Sequence, residues 1–203
     1  MTISEDSVTA AFGRRTEPAE ALAAEAERVA RACHAMAARF HRGGKMIVFG
    51  NGAQATDAAH IAVEFVHPVI VGKRALPALS LAADPNALTG VIRRAGFEET
   101  YAAGVRLMGA PADIAVGLSA DGRCENVRRG LAAAHEMGLL TVALVGGDGG
   151  PIAGAPPIDH TLVVRADDPR VVKEINVTAY HILWELVHVF LEQPGVLEPE
   201  PGR

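Results

Sequence analysis

The feature that most constrains the fold is the alternation of short apolar runs with helical patterns along most of the chain. Nearly continuous apolar strands that alternate with helices are typical of a parallel sheet covered on both faces. The sequence therefore predicts an α/β fold. The β-type runs are "KMIVFG" at 45, "ALPALSLAA" at 75, "DIAVGLSA" at 113, "TVALVG" at 141 and "HTLVVR" at 160, and the helical patterns between them cover 53–67, 97–109 and 124–137.

Length and composition indicate one domain, spanning residues 1–203. The 203 residues are 49% hydrophobic and only 4% aromatic, so we expect a core of small aliphatic side chains. Strong helix formers predict one long N-terminal helix over about 17–42, ended by two glycines. The core of the domain is predicted over about 44–192. Its last element is a helix at 168–192, followed by a Pro-rich, frayed tail at 193–203.

Charge and hydropathy exclude several classes of function. The net charge of −5 comes with scattered arginines and no basic stripe, so nucleic-acid binding is not expected. No run approaches the roughly 18 apolar residues that span a bilayer, and the N-terminus lacks signal-peptide order, which predicts a cytoplasmic protein without membrane contact. Cys33 and Cys124 lie far apart without a metal motif and are expected to stay reduced.

Three Gly-rich turns follow predicted strands, where open parallel sheets bind their ligands. They are Gly50-Asn51-Gly52, residues 119–124 and residues 146–150. The helix after the first turn carries His60 and Glu64 on one face, at i and i+4. Such an imidazole and carboxylate can bind a metal or polarise a carbonyl, although a plain surface pair has the same pattern.

Ordered segments give the chain a family resemblance. "FGNGAQATDAAHIAVEF", "ALPALSLAADPNALTGV", "GFEETYAAGV", "DIAVGLSADGRCENVRRGLAAAHEMGLLTVALVGGDGG" and "YHILWELV" resemble, in order, segments of the phosphoheptose isomerases of the sugar isomerase (SIS) family. The resemblance covers roughly residues 44–191. It implies a three-layer fold with a flavodoxin-like, five-stranded parallel sheet, assembled as a homotetramer with active sites between subunits.

The resemblance also implies an activity. The family interconverts sedoheptulose 7-phosphate and an aldoheptose 7-phosphate through an enediol, which requires groups that move protons on and off carbon and oxygen. It uses a glutamate on the first helix and a histidine on the last, and these positions are Glu64 and His181 here. No nucleotide cofactor is expected.

A zinc site is implied for several members of the family, with one ion per subunit. Its ligands correspond to His60, Glu64 and His181, with a fourth, a glutamine, on the last helix. This chain has Lys173 at the glutamine position, and a protonated lysine cannot bind a cation. Either a water molecule completes the site or the metal is absent.

The implied substrate-binding positions depart further from the family pattern. Gln54, Asp121 and Cys124 stand where the family has serine or threonine hydroxyls. A carboxylate at 121 repels a phosphate dianion, which Arg123 can offset in part, although Asp121 can equally cap the next helix. The family arginine after Glu64 is Pro68 here, and Arg93 with Arg94 form a candidate replacement anion site. The substrate-binding residues that we expect are Gly50, Asn51, Gly52, Gln54, Asp84, Ser119, Asp121, Arg123, Cys124 and Lys173.

Three hypotheses follow for the function. The first is an isomerase of a phosphorylated or differently substituted sugar, with Glu64 and His181 as the acid-base pair. The second is a non-catalytic SIS tetramer that binds a sugar derivative or a protein, and the third is an accessory protein that holds a metal without turnover. We favour the enzyme because both residues of the pair are retained. Trp184 and His188 are interpreted as packing or interface residues.

Overall fold

The computed structural model describes residues 4–154, 157–193 and 195–197. Three helices come first, and strands and helices then alternate. The helices are α1 (Glu5–Gly13), α2 (Thr16–Ala23), α3 (Ala26–His41), α4 (Ala53–Val66), α5 (Pro85–Ala95), α6 (Thr100–Met108), α7 (Glu125–Glu136), α8 (Gly150–Gly154) and α9 (Pro169–Glu192), with a 3-10 turn at Phe97–Glu99. The strands are β1 (Met46–Gly50), β2 (Ala78–Ser80), β3 (Ile114–Ser119), β4 (Leu140–Gly146) and β5 (His160–Val164).

The five strands form one parallel sheet in the order β2-β1-β3-β4-β5. Every residue of β1, β3 and β4 is buried, which explains their nearly continuous apolar sequences. The predicted α/β class and parallel sheet are therefore confirmed. Only three residues of the apolar run at 75 join the sheet, as the edge strand β2.

Helices cover both faces of the sheet and create two hydrophobic clusters. Val48 of β1 points into the cluster beneath α3, α4 and α9, which also contains the stacked rings of Phe40 and Phe65. Its neighbours Ile47 and Phe49 point into the cluster beneath α6 and α7. Alternate side chains of one strand thus contact the helices on opposite faces of the sheet, which gives the domain three layers.

The prediction of one helix over 17–42 is wrong. The chain forms α2 and α3 instead, because the Glu25 N–H bonds to the Leu22 carbonyl and closes the first helix in a tight turn. Neither glycine nor proline marks this break. Tertiary packing imposes it, since α2 lies against β5 while α3 lies along α9.

The C-terminal helix was predicted to within a residue. Asp168 caps α9 by accepting a hydrogen bond from the Arg170 N–H, and Pro169 occupies the first helical position. Of the tail predicted to be frayed at 193–203, only Gln193 and residues 195–197 are among the described residues. Helices α1, α5 and α8 were not predicted.

Two further expectations concern the membrane and the thiols. No helix in the described part of the chain is both long and apolar enough to cross a membrane. Both cysteines are free, as expected. Cys33 lies on the buried face of α3 with no exposed surface, and burial raises the pKa of its thiol to about 12.

Candidate active site

Helices α4 and α9 pack side by side and are joined by polar contacts at three levels. Residue numbers rise together along both helices, so α4 and α9 run in the same direction. Helix α9 thereby brings polar side chains against α4, the helix that follows β1. The contacts are Lys173 Nζ to Asp57 Oδ1 at 2.5 Å, the Tyr180 hydroxyl to His60 Nδ1 at 2.7 Å, and Trp184 Nε1 to the Glu64 carbonyl at 2.9 Å.

A cluster of two imidazoles and a carboxylate lies at the Tyr180–His60 and Trp184–Glu64 contacts. His60, Glu64 and His181 each offer a ligand atom, and these atoms lie within 4.8 Å of one another. His60 Nε2 lies 3.1 Å from Glu64 Oε1, as the i, i+4 spacing predicts. The rings of His60 and His181 meet edge to face, with their centroids 5.3 Å apart. The structure thus brings together the three residues predicted to carry chemistry.

The cluster opens into a cavity of about 470 Å³. The Glu64 side chain is only 13% exposed there, against 42% for His60, so the carboxylate is the most shielded group in the pair. His181 is exposed. A shielded carboxylate beside an accessible imidazole suits proton transfer, because hydrogen bonds and charges act more strongly where water is partly excluded. The lining residues are His60, Glu64, Val69, Ile70, Lys73, His181, Trp184, Glu185 and Val189.

Lys173, on α9, lies outside this cluster, and its side chain reaches the first turn of α4. Its ammonium donates to the Asp57 carboxylate and, at 3.2 Å, to the Ala53 carbonyl. Asp57 is 95% buried at its side chain, and within the described residues its second oxygen has no hydrogen-bond partner. Lys173 therefore neutralises a buried carboxylate. Its expected contact with substrate remains a prediction.

Side chains behind the first Gly-rich turn hold it in place. Asn51 and Asn126 exchange hydrogen bonds between their amides at 2.8 and 2.9 Å, and the Tyr101 hydroxyl donates to the Gly50 carbonyl. Gly52 has φ of +55°, which favours glycine, and leads into α4. The expected substrate contact of Asn51 must therefore use its backbone or break an internal pair. Gln54 is buried in the first turn of α4.

Asp121 organises the loop after β3. Its carboxylate accepts hydrogen bonds from the Ser119 hydroxyl at 3.2 Å and from the Arg123 N–H at 2.9 Å. The interpretation of Asp121 as a helix cap is wrong, because α7 has Cys124 at its N-cap position and Asp121 lies three residues earlier. The carboxylate instead closes the turn that precedes the helix.

Arg123 is also engaged within the protein. Its guanidinium contacts both carboxylate oxygens of Asp148, in the loop after β4, at 3.1 and 2.9 Å. The Gly150 N–H and then Arg123 lower the pKa of Asp148. The cation expected to offset Asp121 is thus already paired.

The loops after β3 and β4 also touch through their backbones. A Cβ atom on Gly122, which has φ of +70°, would lie 1.8 Å from the Gly149 carbonyl oxygen. Only glycine fits at this contact. The two loops, with residues before and in α9, border a separate cavity of about 450 Å³ that contains Asp121, Arg123 and Asp148 but none of the three clustered residues.

Asp84 has a structural role that the sequence did not predict. Its carboxylate caps α5 by accepting hydrogen bonds from the N–H groups of Asn86 and Ala87 at 2.9 and 3.2 Å. It borders a third cavity, of about 570 Å³, between β2, α5 and α6. Arg93 and Arg94 lie in the last turn of α5. Their expected roles in binding remain predictions.

Two residues of the site escaped the sequence reasoning, Asp57 and Tyr180. The available signal for Tyr180 was its position next to His181 on the buried face of an amphipathic helix. Burial, and then the carboxylates of Asp57 and Glu64, raise the pKa of the Tyr180 hydroxyl above its ordinary value. Trp184 and His188 are buried, as the packing interpretation predicts.

The parallel sheet and the His-Glu-His cluster between α4 and α9 define a sugar isomerase type of domain. The sequence profile of the SIS domain family matches residues 15–146. The phosphoheptose isomerase of Solidesulfovibrio magneticus is 38% identical over 176 residues, which cover 87% of this chain and 84% of that protein. The chain belongs to the phosphoheptose isomerase family.

Solved structures of the same family share the fold. The phosphoheptose isomerase of Francisella tularensis superposes with a TM-score of 0.85 at 26% identity, over 93% of this chain and 100% of that one. The enzyme of Neisseria gonorrhoeae gives 0.82 at 29% identity, over 90% of this chain and 97% of that one. The architecture is therefore that of the whole family domain.

Proposed function

We propose that this protein is an aldose-ketose isomerase of a phosphorylated sugar, with sedoheptulose 7-phosphate as its substrate. The observation that carries the proposal is the convergence of His60, Glu64 and His181, whose ligand atoms lie within 4.8 Å of one another. Membership of the phosphoheptose isomerase family supports the choice of sugar. An intact acid-base cluster also favours turnover over a purely binding role.

The first half of the reaction forms the enediol. The Glu64 carboxylate removes a proton from C1 of the ketose, and the electron pair of that C–H bond becomes the C1=C2 double bond. The π electrons of the carbonyl move onto the C2 oxygen, which takes a proton from His181. Glu64 suits the first task because its carboxylate is shielded, and His181 suits the second because its imidazole faces the cavity.

The second half returns the protons in a different order. The C1 hydroxyl gives its proton to His181, the C1–O bond becomes a carbonyl, and C2 takes back the proton that Glu64 holds. The product is the aldose, and both side chains regain their starting protonation. Because the same two residues act in each direction, the reaction is reversible.

His60, Glu64 and His181 also form a donor set that fits a divalent cation, and we propose Zn²⁺. Two imidazoles and one carboxylate with an open position are typical of catalytic zinc. When bound, the ion would polarise the sugar carbonyl as a Lewis acid. Lys173 would contribute no ligand, since its ammonium is held by Asp57.

The quaternary state belongs to the same proposal. We expect a cytoplasmic homotetramer in which a second copy covers the cavity mouth. Support comes from the exposed apolar side chains of Val66, Val69 and Val71, which are 48%, 71% and 101% exposed. Val69 also lines the cavity that contains the cluster. Light scattering on the purified protein measures the assembly directly, and a monomer would contradict this part of the proposal.

Turnover is tested by NMR with sedoheptulose 7-phosphate and purified protein, with and without Zn²⁺. We expect the aldoheptose phosphate to appear with the native protein and to be lost with Glu64→Gln, which keeps the shape of the side chain but removes its basicity. Unphosphorylated sedoheptulose, assayed in parallel, reports whether the protein selects a phosphorylated sugar although Gln54, Asp121 and Cys124 depart from the family pattern. Absence of product in every condition would overturn the proposed reaction.

A further inference from the structure

Tyr180 lies beneath the cluster and forms a hydrogen bond with one of its members. Its hydroxyl is 2.7 Å from His60 Nδ1, and the two rings meet edge to face at 5.4 Å. The residue is 2% exposed and does not line the cavity. The hydrogen bond of Tyr180 to the cluster therefore runs through His60, while its ring also meets that of His181 edge to face at 4.9 Å.

The direction of this hydrogen bond follows from the needs of the hydroxyl. A phenol keeps its proton at neutral pH, and a buried O–H requires an acceptor. Among the described residues, His60 Nδ1 is the hydrogen-bond partner of this oxygen. Nδ1 must then carry a lone pair, which places the proton of a neutral imidazole on Nε2.

The other side of the ring leads independently to the same tautomer. His60 Nε2 lies 3.1 Å from Glu64 Oε1. An ionised carboxylate only accepts hydrogen bonds, so Nε2 must carry the proton. Both contacts select one proton arrangement, running from Tyr180 through His60 to Glu64.

We propose that Tyr180 is a positioning residue that donates to His60 Nδ1 and so directs the Nε2 proton of His60 at the catalytic carboxylate. The hydrogen bond occupies the inner nitrogen, holds the imidazole plane and leaves Nε2–H to orient Glu64. The catalytic consequence rests on the proposed isomerase function. The proton arrangement itself does not, because it exists without substrate.

The proton arrangement described above is that of the metal-free site. A cation bound through Nε2 would require the imidazole proton on Nδ1, which would then donate to the Tyr180 oxygen and leave the Tyr180 O–H without this acceptor.

The test observes the ring nitrogens of His60 by ¹⁵N NMR in Tyr180→Phe. At an alkaline pH where imidazoles are neutral, we expect the metal-free native protein to show Nε2–H and an Nδ1 that accepts a hydrogen bond. In Y180F, the Nδ1 signal should move to the position of a free acceptor nitrogen. In a Glu64→Gln background, where the carboxylate no longer holds the proton, Y180F should shift the tautomer ratio about fivefold, which is the weight of one hydrogen bond.

Tyr101→Phe is the matched control, because Tyr101 is the other tyrosine of the chain and its buried hydroxyl bonds to Gly50 and Asn51. It should leave the His60 signals unchanged, and His60→Gln assigns them. An Nδ1–H tautomer in the metal-free native protein, or an Nδ1 signal that is the same in Y180F, would overturn the proposal.

Turnover supplies the second readout. Because Tyr180 does not line the cavity, we expect Y180F to lower kcat by about 10–100-fold, the range for partners that orient site residues, and to leave KM unchanged. An unchanged kcat would overturn the positioning role. Absence of turnover in the native protein would instead remove the proposed function, and the nitrogen signals would then decide on Tyr180 alone.

Discussion

Trp184 donates its indole N–H to the backbone carbonyl of Glu64 at 2.9 Å. This carbonyl is in the last turn of α4, where its regular partner would be the N–H of residue 68. Residue 68 is proline and has no N–H. Trp184 thus satisfies a backbone group of Glu64, the proposed catalytic base.

Trp184→Phe should therefore weaken both stability and catalysis. The variant leaves the Glu64 carbonyl without its partner, and we expect a loss of about 1–3 kcal/mol in the free energy of unfolding. Denaturant titration measures it. Pro68→Ala restores an N–H at the end of α4, so the double variant should recover part of the loss. A W184F protein as stable as the native one would contradict this account.

Lys173→Gln should destabilise the protein, because it leaves the buried Asp57 carboxylate without its counter-charge. We expect a loss of about 3 kcal/mol, the lower end for a broken buried pair, since the Lys173 side chain is 36% exposed. Adding Asp57→Asn removes the charge, and the double variant should regain stability. Thermal denaturation of the three proteins decides the point, and additive losses would rule out a coupled pair.

Zinc binding should depend on the three clustered residues and not on Lys173. Titration calorimetry of metal-free protein should show one Zn²⁺ per chain, with affinity lost in His181→Gln. Lys173→Met removes the ammonium without adding a ligand and should retain the affinity. Equal binding by the native protein and H181Q would place the ion elsewhere.

The acid side of the stability curve should contain a contribution from Glu125. Hydrogen bonds from Arg128 and then Arg129 lower the pKa of this carboxyl from 4.5 to about 2. A lowered folded-state pKa stabilises the protein above the unfolded value, and that contribution disappears as the pH falls from about 4.5 toward 2.

Glu125→Gln should therefore lower stability at neutral pH and lose this effect in acid. We expect less than about 1 kcal/mol, because the pair is largely exposed and screened by salt. Urea titrations across this pH range measure the difference. A gap between E125Q and the native protein that persists unchanged at low pH would contradict the assignment.

The two thiols should differ in reactivity. Cys33 is fully buried, with its pKa raised to about 12 by burial, whereas Cys124 is partly exposed in the loop before α7. A thiol reagent at mildly alkaline pH should modify one cysteine in the folded protein and both in denaturant. Cys124→Ser should abolish the first reaction, and modification of folded C124S would show that Cys33 is reachable.

The sheet could be predicted because its signals are local. Each of β1, β3 and β4 is buried on both faces, so its sequence is almost entirely apolar and is bounded by turn residues. The break between α2 and α3 has no such signal, since helix formers continue through it. Packing against two different elements decides that break.

The candidate site likewise has a part that the sequence predicts and a part that it does not. His60 and Glu64 are four residues apart on one helix, so their pairing follows from helical geometry. The contacts of Tyr180 with His60 and of Lys173 with Asp57 join residues 120 and 116 positions apart. They depend on how α9 crosses α4, which no local pattern specifies.

The backbone contact between Gly122 and Gly149 bears on any attempt to redesign this protein. With the Arg123–Asp148 ion pair beside it, the contact makes the two loops a single mechanical unit. Replacing one of these loops alone would break the ion pair and would bring any side chain at position 122 against the Gly149 carbonyl oxygen. A redesign of this end of the sheet therefore has to exchange both loops together, and natural divergence there faces the same paired requirement.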